Sequence, residues 1–301
     1  ILALTFGYTM IVAESALGRM TRKSPVGAFR SFAKGKKVGW LSFGGWINAI
    51  IPVLIVPYYS VIGGWVVKYL FEYIRGNGSK LAEDGYFSGF ISNGGATEIC
   101  FVIFCMFTLV IIYAGVQNGI ERVSKIMMPI LIVLSVIIAI YSVTRPGAIE
   151  GVKYFLVPNV KNFSWMTVVA AMGQMFYSLS IAMGILVTFG SYMRKDTSIE
   201  DSTRNVEIFD TAIAMMAGLM IIPAVFAFSG GDPDTLQAGP SLMFITIPKV
   251  FANMGFGTAV GILFFVLVLF AAVTSSIALT ESAVSTFEDE LGWGRKKATV
   301  L

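Results

Sequence analysis

The sequence predicts an all-α membrane protein, on three observations. Apolar residues make up 56% of 301 positions and charged residues only 13%, with a mean hydropathy of +0.77, far more grease than a water-soluble core needs. Apolar runs of about 20 residues, the length that crosses a bilayer core, recur along the chain. Lys and Arg gather in alternate linkers between those runs.

Taken in order, seven spans emerge, lettered A to G: 1–18, 41–74, 97–117, 123–144, 165–193, 206–229 and 257–287. Span A opens "ILALTFGYTMIVAESALGR", without Met, basic lead-in or small-residue cleavage site, so it reads as the inner half of a membrane helix and not as a signal peptide. Span B carries Pro52 and Pro57 ahead of the pair Tyr58 and Tyr59, which predicts a kink with hydroxyls near mid-membrane, although aromatics at a kink also serve as packing. Cys100 and Cys105 in span C are five apart, on different helix faces, and read as buried inert thiols. Spans B, E and G exceed one bilayer thickness, so each is expected to tilt, break or protrude. Segment 230–257, bounded by Gly and Pro, reads as a helical surface loop. The closing "RKKATVL" resembles a basic loop leading into another span. Residues 1–301 thus form one transmembrane domain, expected to be part of a larger protein.

Sidedness follows from charge. Segment 19–37 holds seven Lys or Arg and no acid, which makes it cytoplasmic. Alternation then places 118–125, 194–205 and the tail after 287 on the same side, and these four segments collect 15 of the 22 basic residues. The loop 230–257 falls outside the cell, and the expected location is the cell (inner) membrane. Topology accounts for the net charge of +4, so no nucleic-acid partner is implied.

Function is sought among polar groups at membrane depth, where each needs a partner. Histidine is absent, which removes Ser-His-Asp and Cys-His catalysis. No Lys lies near Ser178 or Ser275 in sequence to activate either hydroxyl, so an intramembrane enzyme is disfavoured. In span G, "AAVTSSIALTE" brings the carbonyl of Ala271 and the hydroxyls of Thr274 and Ser275 to one spot by helical spacing. Three neutral oxygens suit a hard cation of low charge such as sodium. The same hydroxyls also fit a helix in which Ser and Thr merely satisfy carbonyls one turn back, and span G alone does not separate the two. Span E clusters Tyr177, Ser178 and Ser180 between Gly173, Gly184 and Gly190, a pattern that suits either a broken helix lining a cavity or close helix packing. Glu14, Asp210, Glu281 and Asp289 lie in or beside spans; Asp289 and Asp210 also fit helix ends, whereas Glu14 and Glu281 are harder to dismiss.

Taken together, "ESALGR", "PYYSVIGGW", "GQMFYSLSIAMG", "SYMRKD", "AGLMIIPAVFAF", "GPSLMFITIPKVF", "TSSIAL" and "FEDEL" resemble, in order, the neurotransmitter:sodium symporter family, in particular its bacterial amino-acid transporters. The resemblance covers nearly the whole chain and implies helices two to eight of a leucine-transporter-like inverted-repeat bundle, with span E broken and the first and last helices outside this sequence. It implies that Ala271, Thr274 and Ser275 form one wall of a second sodium site, whose other wall comes from the missing helix. Ser178 and Asp210 would serve the first sodium site, where Asp210 replaces the family's usual Asn. That fixed charge implies chloride-independent transport. Tyr59 would bind the substrate carboxylate, and Ile55, Tyr177, Ser178, Ser180, Met183 and Leu279 would line the substrate pocket, with Tyr177 as its outer lid. Ala182, where relatives often have Gly, would narrow that pocket. Ser191, Tyr192 and Asp289 resemble the cytoplasmic gate. The implied activity is alternating-access symport of sodium with a hydrophobic or small neutral amino acid, in a lipid bilayer, with a homodimer compatible. The alternative is a truncated non-transporting subunit or channel-like protein.

Overall fold

The computed structural model describes residues 2–33, 40–159, 161, 163–232, 236 and 239–300. Positions 34–39, which include the last four of the basic segment 19–37, and five of the loop 230–257 lie outside the described residues. Span A is a π-helical turn, Ala3–Gly7, running into α1 (Tyr8–Thr21). There follow α2 (Pro25–Ala33), α3 (Leu41–Ile74), the short α4 (Gly78–Leu81) and α5 (Tyr86–Ser92), and α6 (Gly94–Tyr113). A second π-helical turn, Val116–Glu121, leads into α7 (Arg122–Val143), followed by α8 (Ala148–Leu156). Span E divides into α9 (Trp165–Ser178) and α10 (Ile185–Tyr192). The rest is α11 (Ile199–Ser229), a π-helical turn Leu242–Thr246 into α12 (Ile247–Ala252), α13 (Gly257–Leu291) and α14 (Arg295–Val300).

Five of these stretches, 41–74, 94–113, 116–143, 199–229 and 257–291, are each long and apolar enough to cross a membrane. The remaining two expected spans are the 14-residue α1 with its π-helical turn and the divided span E. Helix α3 runs uninterrupted through Pro52 and Pro57 over 34 residues, about 50 Å against a hydrocarbon core of about 30 Å, so it tilts or protrudes and does not break.

Two boundaries and the burial of the cysteines differ from expectation. The loop expected at 118–125 is helical, and the chain turns instead at 114–115; a Lys125–Glu121 pair at 2.7 Å supports the helix there. Helix α11 begins at Ile199, seven residues before the apolar stretch, because Ser198 accepts a hydrogen bond from the Asp201 amide at 3.2 Å and two acids occupy the first turn. The cysteines are free and half-buried, not enclosed, on a helix whose Ile99, Val102, Ile103, Met106 and Phe107 face outward.

Three apolar cores hold the bundle together. The largest joins α3, α7, α11, α12 and α13 around Tyr69, Phe244 and Phe265. A second joins α6, α7, α13 and α14 around Phe104, Ile112 and Ile277. A small third core, Ile11, Met175, Leu179 and Ile181, ties α1 to both halves of span E.

A candidate substrate and ion cavity at a helix break

Residues 179–184 connect α9 to α10 without regular helix. Ser180 and Ala182 there adopt φ of 56° and 60°, and Gly184 follows at 71°. Left-handed backbone at two non-glycine residues costs on the order of 1–2 kcal/mol each, so surrounding structure must hold it. Glu14 of α1 does so directly: its carboxylate accepts the freed amide of Ala182 at 2.9 Å. This is the use of the acid left unassigned from sequence. Its second oxygen, Oε2, is buried with no hydrogen-bond partner among the described residues.

The break opens onto a cavity of about 540 Å³, within the usual range of small-molecule sites. Ten of the expected residues line it: Ile55 and Tyr59 from α3; Tyr177, Ser178, Ser180 and Met183 around the break; Asp210 from α11; and Thr274, Ser275 and Leu279 from α13. Ala271 lies one turn behind, its carbonyl accepting the Thr274 hydroxyl at 3.0 Å, a hydroxyl also 3.0 Å from the Phe270 carbonyl. The back-bonded geometry allowed for Thr274 is therefore present, and it leaves the hydroxyl's lone pairs available to a cation. Ser275 is exposed to the cavity and meets the Tyr59 hydroxyl.

On the opposite side the Ser178 hydroxyl donates to Asp210 Oδ1 at 2.7 Å. Because α11 starts early, Asp210 is the twelfth residue of its helix, which carries it away from the helix end and into the cavity. Among the described residues the lining holds this one carboxylate and no Lys or Arg. The cavity thus has oxygens on two walls, one fixed negative charge, and apolar surface from Ile55, Met183, Ile185, Phe189 and Leu279. Such a site attracts a small hard cation and accommodates an apolar body beside it.

Several members were missed from sequence. Gln174, Ser124 and Met128 also line the cavity; Gln174 lies one turn before Ser178, the only hint of its role. The Tyr58 hydroxyl lies 3.3 Å from that of Tyr177, so the half of the tyrosine pair not singled out reaches across to span E. Ala182 does not line the cavity, so the expected narrowing is absent; its cost is conformational.

The three expected gate residues occupy separate networks near the C-terminal ends of α10 and α13. Asp289 Oδ2 accepts the Ser24 amide at 2.5 Å, just before α2. The Ser191 hydroxyl donates to the Thr188 carbonyl at 2.7 Å, and its own carbonyl accepts Arg22 Nη1 at 2.8 Å. Tyr192 instead donates to Glu281 at 2.7 Å. Glu281 is fully buried and takes two hydrogen bonds from Arg295, at 2.9 and 2.6 Å. Arg295 also donates to the Ile112 carbonyl at 3.2 Å, so one guanidinium joins α6, α13 and α14. Fourteen residues separate that pair in sequence, which hid the partner that a buried acid requires.

Comparison with known proteins bears on the same residues. The profile of the Sodium:neurotransmitter symporter family matches residues 86–301. An uncharacterized sodium-dependent transporter of Bacillus subtilis, YhdH, is 36% identical over 286 residues, covering 94% of this chain and 62% of its own length. An uncharacterized sodium-dependent transporter of Haemophilus influenzae is 32% identical, covering 99% of this chain and 66% of its own length. The crystal structure of MhsT in complex with L-phenylalanine superposes with a TM-score of 0.86 at 36% identity, covering 99% of this chain and 67% of that one. The chain therefore spans about two thirds of the length of the relatives it matches.

Proposed function

Because the chain belongs to the sodium:neurotransmitter symporter family, we propose that the protein it forms part of carries a neutral, apolar amino acid across the membrane with sodium, by alternating access. The observation that supports this best is the mixed cavity at the helix break: one carboxylate and no cation among its described lining residues, hydroxyls on two walls, and an apolar remainder. Thr274, Ser275 and the Ala271 carbonyl would take one sodium; Ser178 and Asp210 would take another beside the substrate carboxylate. Tyr59 would donate to that carboxylate, while Ile55, Met183 and Leu279 would enclose the side chain. Since ion and substrate share a site, each stabilises the other's binding. An apolar side chain fits the lining, and the solved relative MhsT was crystallised with L-phenylalanine; without the narrowing first attributed to Ala182, aromatic side chains are included.

The test is sodium-dependent binding of radiolabelled phenylalanine and leucine to the intact protein. Sodium should raise affinity for at least one of them, and Thr274→Ala combined with Ser275→Ala should abolish the stimulation. Unchanged sodium dependence in the double variant would sink the ion assignment.

We further propose that transport is independent of chloride, with the Asp210 carboxylate, 2.7 Å from Ser178 Oγ, supplying the fixed negative charge. Uptake should persist when gluconate replaces chloride.

A further inference from the structure

A second cavity, of about 450 Å³, lies where the chain leaving α7 and the last turns of α11 meet α12. Its walls are the turn after α7 (Arg145, Pro146), the last turns of α11 (Ala224, Ala227, Phe228) and α12 with the turn after it (Val250, Met254, Gly255). Its surface is half polar and half apolar, the apolar half from side chains such as Ala227, Phe228 and Met254, and one full charge faces it. The Arg145 guanidinium lies 4.2 Å over the Tyr141 ring and gives a single long hydrogen bond, Nε to the Tyr141 carbonyl at 3.3 Å. No carboxylate stands within ion-pair distance of it among the described residues. The nearest basic side chain of the loop, Lys249, is committed to Asp84 at 2.5 Å, and the nearest acid in sequence, Glu150, sets its carboxylate against Gly231. Asn253, which also lines the cavity, donates its side-chain amide to the Lys249 carbonyl at 2.8 Å.

A half-buried guanidinium with four N–H groups that meet no acceptor among the described residues, beside apolar side chains, selects an oxyanion attached to an apolar body. We propose that this cavity binds a monoanionic amphiphile, its phosphate or carboxylate on Arg145 and its apolar part against Ala227, Phe228 and Met254. Such a ligand bridges α7, α11 and the α12 loop. It thereby adds a second attachment of the loop to the bundle, besides its aromatic anchor on α3, where the Tyr69 hydroxyl donates to the Phe244 carbonyl at 2.8 Å. The site is independent of the transport assignment and shares no residue with the substrate cavity.

Two sources supply this chemistry, an outer-leaflet anionic phospholipid and a free carboxylate, and two arms distinguish them. The intact protein in nanodiscs of phosphatidylcholine with or without phosphatidylglycerol is examined for retained lipid by native mass spectrometry; in parallel, octanoate is titrated against thermal unfolding in detergent. Retention of phosphatidylglycerol marks a headgroup site, and stabilisation by octanoate marks a free-carboxylate site. In whichever arm binds, Arg145→Gln should weaken binding about tenfold or more, the effect of losing charge-assisted hydrogen bonds. Arg145→Lys should retain part of it, and Ala227→Leu, which fills the apolar recess without touching charge, should weaken it too. Equal retention and equal stabilisation in wild type and Arg145→Gln, or no binding in either arm, overturns the site. Sodium-dependent substrate binding measured on the same samples checks that the variants are folded.

Discussion

At the scale of single residues, Asp210 and Ala182 show how position changes meaning. Asp210 reads from sequence as a possible helix-end acid, yet the Ser198 cap starts α11 early enough to bring its carboxylate to Ser178. If it supplies the fixed charge, Asp210→Asn should make uptake chloride-dependent, seen as lost activity in gluconate and recovery in chloride; equal activity of the variant in both buffers would exclude that role. Ala182, at φ 60°, holds a conformation that glycine adopts without a Cβ penalty. Ala182→Gly should therefore stabilise the protein by about 0.5–1 kcal/mol after the entropy lost by glycine is deducted, read as a higher Tm. Its substrate selectivity should stay unchanged, because the Ala182 side chain lies off the cavity.

At the scale of elements, the sequence marks where helices sit but not what binds them. The glycines of "ESALGR" and "FGSYM" show the reason for both motifs. A Cβ on Gly18 would stand 2.0 Å from the Val187 carbonyl oxygen, and one on Gly190 would stand 2.5 Å from that of Ser15. Backbone thus touches backbone where α1 runs along α10, a contact that no larger residue permits. The loop helix α12 is fastened differently. Phe244 stacks on Phe87 at 5.3 Å and meets Trp65, Tyr69 and Phe265 at 5.6, 5.0 and 6.4 Å. Phe244→Ala should cost about 3–5 kcal/mol, the usual penalty for emptying an aromatic core site. Its signature should be local: faster hydrogen exchange and proteolysis in 239–256, with the C-terminal ends of α10 and α13 protected as before.

At the scale of the whole molecule, two buried charge devices brace the bundle. Near the C-terminal end of α13, Glu281 with Arg295 and Tyr192 links α6, α10, α13 and α14. Arg295→Ala leaves the fully buried Glu281 unpaired and should destabilise the protein by about 3 kcal/mol or more, measured as a lower Tm; Glu281→Gln placed on top should recover part of the loss. At the helix break, Glu14 binds the Ala182 amide and joins span A to span E across 168 positions.

The sequence by itself determined the class and the order of the spans, because hydropathy is a local pattern; the broken fifth span and most of the residues that meet in the cavity came from the family resemblance of its ordered motifs. It did not reveal that Tyr58 reaches Tyr177, that Ala182 stays off the cavity, or that Tyr192 turns to Glu281 and leaves Asp289 to Ser24. Nor did it show the partner of any buried acid. Those outcomes depend on which helix faces come together over more than a hundred intervening residues, and on where a capping serine or a left-handed residue sets the phase of a helix. Only the tertiary structure decides them.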